Sequence, residues 1–152
     1  MIKLVKSYPA VTREQLEIVF SEVELQFPDS YIEFLLAQNG GGPEVESAYV
    51  CVNDPEYQIL INCFYGVSKS DTRIDLLCAW GSHSHTIPET LCPIADDGIG
   101  NQICIGIQKP HFGNMYFWNK DGEVDYGEEV TFDNIEFLAG SFESFINCVR
   151  KM

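Results

Sequence analysis

Apolar positions along the chain change period twice, dividing it into helical ends and a strand-rich middle. Thr12 and Gln15 have the spacing of a capping box, and Val11 and Leu16 occupy the staple positions around it. Leu16, Val19, Phe20 and Val23 then recur at helical intervals, with Glu14 and Glu17 in the first turn, where the helix dipole favours anions. Pro28-Asp29-Ser30 opens a second helix with Tyr31, Phe34 and Leu35 on its apolar stripe. That helix runs to Gln38 or Asn39 and stops at Gly40-Gly41-Gly42-Pro43, read as a C-cap glycine followed by a proline block.

Residues 48–52 and 59–65 are rich in Val, Ile and aromatics and read as strands, separated by the turn signal Asn53-Asp54-Pro55-Glu56. Between Ser70 and Trp80 the helical period returns: Ser70 is the expected cap, with Ile74, Leu77 and Cys78 on one face. Strand patterns resume at 91–95, 102–107 and 115–118, joined by loops with the Gly, Asn and Asp content of antiparallel hairpins. Ser141 caps a last helix carrying Phe142, Phe145, Ile146 and Val149 in register. This order predicts one α+β domain over residues 1–152: a mostly antiparallel sheet of about six strands, with N-terminal and C-terminal helices packed on one face.

Composition narrows the function. At 152 residues the chain buries enough surface to need neither disulfide nor metal. Against 9 Lys+Arg stand 23 Asp+Glu, a formal net charge of -14, which repels phosphate backbones and anionic lipid and favours either a basic partner or plain solubility. Direct binding of nucleic acid or membrane is therefore not expected. The 6 cysteines contain no C-x-x-C pair and mostly fall in apolar runs, which predicts reduced, mostly buried thiols. No apolar leader opens the chain and no stretch approaches a membrane span, so the expected compartment is the cytoplasm.

The search for catalytic motifs finds no nucleophile elbow, P-loop, H-E-x-x-H or EF-hand series, and no cofactor is expected. Gly98-x-Gly100 lies between two strands and reads as a hairpin turn. His83-Ser84-His85 is the one local pair able to present two imidazoles to a metal, with Asp96, Asp97 or His111 as a distant third ligand; the other reading is a polar loop. A nucleophilic cysteine is disfavoured, since residues 74–108 contain no Lys or Arg to stabilise a thiolate. The charge map says more. No basic residue occurs from Asp121 to Val149, whereas Asp121, Glu123, Asp125, Glu128, Glu129, Asp133, Glu136 and Glu143 all do, with Tyr126 in the densest part. A smaller set, Glu44, Glu46, Asp54 and Glu56, brackets Tyr49. Such runs are either solvated faces or a docking patch for a basic protein, anchored by an aromatic.

Four blocks in order carry a family resemblance. Phe27-Pro28-Asp29-Ser30-Tyr31-Ile32-Glu33-Phe34-Leu35-Leu36-Ala37-Gln38-Asn39-Gly40-Gly41 resembles the helix-two signature of the SUKH superfamily. Pro93-Ile94-Ala95-Asp96-Asp97-Gly98-Ile99-Gly100-Asn101-Gln102-Ile103-Cys104 is similar to its central hairpin, Met115-Tyr116-Phe117-Trp118 to the next strand, and Leu138-Ala139-Gly140-Ser141-Phe142-Glu143-Ser144-Phe145-Ile146 to its closing helix. The resemblance implies an α+β fold and, for most bacterial members, an immunity function: a non-enzymatic antitoxin that binds and neutralises a cognate toxin by occluding its active site. Length and pattern look closest to members paired with LXG-type toxins that end in a ribonuclease domain. The implied partner is thus a basic nuclease toxin, and the candidate interface is Tyr49, Asp54, Glu56, Asp121, Glu123, Asp125, Tyr126, Glu128 and Glu129. The alternatives are a regulatory or adaptor protein of the same fold and, behind it, a metal hydrolase using His83 and His85. Monomer and homodimer are both compatible with the sequence.

Overall fold

A computed structural model describes all residues 1–152. Its first helix, α1 (Arg13–Glu22), begins at the expected capping box: Thr12 Oγ1 accepts from Gln15 N at 3.1 Å, and Gln15 Oε1 accepts from Thr12 N at 2.9 Å. Leu16 and Phe20 are its buried residues. Helix α2 (Asp29–Ala37) buries Tyr31, Phe34 and Leu35, but its C-cap is Gln38 in extended conformation. Gly40 is therefore not the helix stop. It sits two residues beyond at φ +74, where a Cβ would lie 2.7 Å from Gly66 N. The preceding Asn39, 3% exposed, explains that close approach. Its Nδ2 donates to Pro9 O and Val67 O at 2.8 and 2.9 Å, and its Oδ1 accepts from Val67 N at 2.8 Å, so one buried amide ties three segments together with its polar atoms satisfied.

Strand β1 (Leu4–Val5) pairs with β2 (Gly42–Pro43) in a two-stranded ribbon. β3 (Ser47–Val50), β4 (Gln58–Ile61) and β10 (Val149–Lys151) form a second sheet in the order β10-β3-β4. β5 (Cys63–Phe64), β6 (Leu91–Asp96), β7 (Gln102–Gly106), β8 (Met115–Trp118) and β9 (Ile135–Ala139) form the third, in chain order and antiparallel throughout. The α+β class is as expected, and the strands divide among three sheets. The run 59–65 breaks at Asn62, whose N–H donates to Asp96 O at 2.9 Å, so β4 and β5 join different sheets.

Two helices differ from expectation. α3 (Leu76–Ser82) is capped by Asp75, which accepts from Cys78 N at 3.0 Å, and not by Ser70. The residues before it are committed elsewhere: Asp71 Oδ1 accepts from Arg73 N at 3.0 Å, and the Tyr8 hydroxyl accepts from Ile74 N at 2.9 Å. Such local side-chain bonds compete with helix formation. α4 (Phe142–Ile146) keeps its Ser141 cap, with Ser144 N donating at 3.0 Å, but Val149 leaves the helix and pairs with Tyr49 in β10.

The main core lies on one face of the five-stranded sheet. Ile94, Ile103, Ile105 and Met115 meet Leu16, Phe20, Phe34, Leu35, Phe142 and Phe145 there. A smaller cluster of Ile87, Leu91, Cys104, Tyr116 and Trp118 occupies the opposite, outer face. The cysteines are more exposed than their apolar neighbours suggested: Cys92 and Cys104 are buried, Cys51, Cys63 and Cys148 half-buried, and Cys78 exposed. No helix is long and apolar enough to cross a membrane.

Candidate protein-binding surface

The densest acidic segment is the connection from β8 to β9. Its base is closed by a reciprocal pair: Asn119 N donates to Asn134 O at 3.0 Å and Asn134 Nδ2 donates to Asn119 O at 2.8 Å. A single helical turn, Lys120–Gly122, follows, capped by Asn119 Oδ1 accepting from Asp121 N at 2.9 Å. Asn101 Oδ1 accepts from Lys120 N at 3.0 Å, fastening the turn to the β6–β7 hairpin. The loop therefore has a fixed base and a projecting tip. At the tip Glu128 N donates to Asp125 O at 3.0 Å, a tight turn that presents Tyr126, 90% exposed.

Asp121, Glu123, Asp125, Glu128, Glu129 and Asp133 are all exposed. The three ion pairs of the protein are Lys3–Glu44, Arg13–Glu33 and Arg73–Asp71, so none of these loop carboxylates has a cationic partner. Asp54 and Glu56 are also exposed, in the β3–β4 turn. The next residue, Tyr57, approaches β9: burial first, and then the Glu136 carboxylate that its hydroxyl faces, hold the phenol well above its usual range.

Tyr49 requires a correction. It is 3% exposed, its ring stacks on Phe145 with centroids 5.1 Å apart, and its hydroxyl donates to Leu138 O at 2.9 Å. Tyr49 therefore has no surface on which to anchor a partner; it joins β3 to β9 from inside. The acidic residues that bracket Tyr49 in sequence do not make it exposed, because β3 pairs with β10 and Phe145 of α4 stacks on its ring.

His83 and His85 bear on the alternative reading of a metal hydrolase. Nowhere do three or more His, Cys, Asp or Glu side chains converge as a metal would need. His83 Nδ1 lies 2.9 Å from Ala79 O at the end of α3, and its ring meets Trp118 edge-on. His85 meets Tyr126 edge-on at 5.6 Å. The distant ligand candidates are engaged otherwise. Asp97 accepts from Ile99 N and Asn101 N to shape the hairpin turn, Asp96 accepts from Asn62 Nδ2, and His111 Nδ1 lies 3.0 Å from Thr90 Oγ1. Cys92 and Cys104 have their thiols pushed well up by burial, and Cys78 is pushed up by its hydrogen bond with Asp75, so these three are poorly poised as nucleophiles.

The β8–β9 loop thus combines exposed carboxylates outside any ion pair with an exposed tyrosine, on an α+β domain. The chain belongs to the SMI1 / KNR4 family (SUKH-1), whose model matches residues 10–148. It is 27% identical over 158 residues, covering 91% of this chain and 75% of the relative, to the SPbeta prophage-derived uncharacterized protein YokK of Bacillus subtilis (strain 168). No solved structure matches the chain.

Proposed function

We propose that this protein is an immunity protein, a cytoplasmic antitoxin that binds a cognate toxin and neutralises it by occluding the active site, without catalysis of its own. The observation that carries the reading is the β8–β9 loop: a run of exposed carboxylates from Asp121 onward, none of them in an ion pair, built on a SUKH-1 fold. Unpaired like charges at close spacing repel one another in the free protein, and a basic partner relieves that repulsion on binding. The toxin is of the nuclease class, because clefts that hold polyanionic substrate are basic and an acidic loop can stand in for phosphates. The LXG-type systems, whose toxins end in a ribonuclease domain, are the narrower assignment, supported by the length and block order of the chain. Asp121, Glu123, Asp125, Tyr126, Glu128 and Glu129 form the interface, with Asp54 and Glu56 at its margin.

The test is co-expression with the C-terminal domain encoded by the adjacent toxin gene, scoring growth and co-purification. Rescue of growth with a stable complex is expected. Growth arrest in the presence of abundant, folded antitoxin refutes the reading. Co-purification of a non-toxin protein in its place points to a regulatory adaptor.

A further inference from the structure

The outer face of the five-stranded sheet is covered over only part of its width. Ile87 packs with Leu91, Cys104 and Trp118, each of which is 1% exposed or less. Toward β9, the free edge, the cover ends: Phe137 is 60% exposed and Phe132 37%. Phe137 pairs opposite Tyr116, and Trp118 opposite Ile135, so these side chains share the outer face. Tyr116 meets Phe132 and Phe137 edge-on, with centroids 6.1 and 5.9 Å apart.

Two histidines touch rings of this face, His111 stacking on Phe132 at 4.6 Å and His83 meeting Trp118 at 5.5 Å, while His85 meets Tyr126 of the adjoining loop at 5.6 Å. The same layer holds the indole N–H of Trp118, buried and without an acceptor. Exposed rings held in fixed positions, rather than scattered singly, mark an interaction surface.

The rim identifies the occupant. Asp125, Glu128, Glu129 and Asp133 adjoin Tyr126 and Phe132 in the chain, and none of them is in an ion pair. Lys109 and Lys120 are the nearest basic residues along the chain, and the Lys120 stem is directed along Gly100. We infer that the exposed β9 margin of the outer face, together with the β8–β9 loop, docks an arginine-bearing segment of a basic protein. Guanidinium groups stack on Phe137, Phe132 and Tyr126 while the carboxylates surround their charge. A guanidinium is planar and weakly hydrated, so it gains from ring faces where a strongly hydrated lysine ammonium gains less. That the segment belongs to the toxin rests on the immunity reading; the chemistry of the face does not.

The probes are two capped peptides of equal charge, hexa-arginine and hexa-lysine, titrated into ¹⁵N-labelled protein. Hexa-arginine should bind about fivefold more tightly, with amide shifts centred on β8, β9 and the loop between them. Phe137→Leu keeps apolar bulk at an exposed position and removes one of the three rings; it should diminish the preference while the rest of the spectrum stays native. Equal binding of both peptides, or an undiminished preference in Phe137→Leu, overturns the inference and leaves only a charge patch. Toxin assays separate the two readings. If the wild type protects cells and Phe137→Leu binds toxin with wild-type affinity, the docking face is wrong and immunity holds. If the wild type fails to protect yet selects arginine through Phe137, immunity is wrong and the face holds.

Discussion

Replacing Tyr49 with Phe separates a structural role from a binding one. The ring stacked on Phe145 stays, and only the hydroxyl donating to Leu138 O is lost. Leu138 is half-buried on an edge strand, so water can reach its carbonyl and partly replace the bond. The expected cost is therefore about 1 kcal/mol, near the middle of the range for a net hydrogen bond. For a chain of this size that lowers the melting temperature by about 3 °C. Tyr49→Ala removes the whole ring from the core and should cost about 3–5 kcal/mol, enough to unfold much of a domain whose total stability is roughly 5–15 kcal/mol. The loss in Tyr49→Phe should be local as well as global, because the bond ties β9 to β3. Urea unfolding gives the first quantity and hydrogen exchange the second: β9 amides should exchange faster while those of β6 and β7 keep their protection. An unchanged midpoint together with lost toxin affinity would refute the burial argument and return Tyr49 to the interface.

Gly40→Val should destabilise by about 3 kcal/mol or more, since it combines a left-handed backbone with a Cβ aimed at the Gly66 backbone; thermal melts measure it, and toxin affinity of the folded fraction should not change. Reversing Glu128 and Glu129 to Lys should slow toxin association about tenfold and flatten its salt dependence without altering the fold, whereas Tyr126→Ala should raise the dissociation rate about thirtyfold, equivalent to about 2 kcal/mol; stopped-flow and surface-binding kinetics separate the two. Among the thiols Cys78 should be alkylated first in the native protein and Cys92 and Cys104 only after denaturation, with Cys63, which burial pushes up to about 11, remaining slow at pH 8. Hydrogen bonds from Arg73 hold the Asp71 carboxyl down to about 2, so its contribution to stability is complete above the ordinary carboxylate range and is lost as pH falls through about 2. Carboxyl NMR should show that midpoint return toward the ordinary value in Arg73→Ala.

What the chain determined by itself was local. Thr12 with Gln15, Ser141 with Ser144, and Asp97 with Asn101 each satisfy backbone or side-chain groups within four residues, so their caps and turn follow from spacing alone. The helical stripes of α1 and α2, the hairpin from β6 to β8 and the acidic character of residues 121–136 belong to the same class. The elements that went unread depend on partners far along the chain. β10 exists because residues 149–151 find β3 about a hundred positions earlier, against the helical register that Phe142, Phe145 and Ile146 had set up. β9 lacks clean alternation because the register shifts between Met115 and Tyr116, leaving Leu138 outside the pairing. Tyr49 and Tyr126 are alike as sequence, each an aromatic among acids. Long-range pairing buries the first under α4, while a turn closed by Glu128 N and Asp125 O exposes the second, and burial is a property of what the rest of the chain brings near. The same holds for His111 and Phe132: nothing in their spacing joins them, and their rings stack because the β7–β8 connection and the β8–β9 loop both lie beside Tyr116.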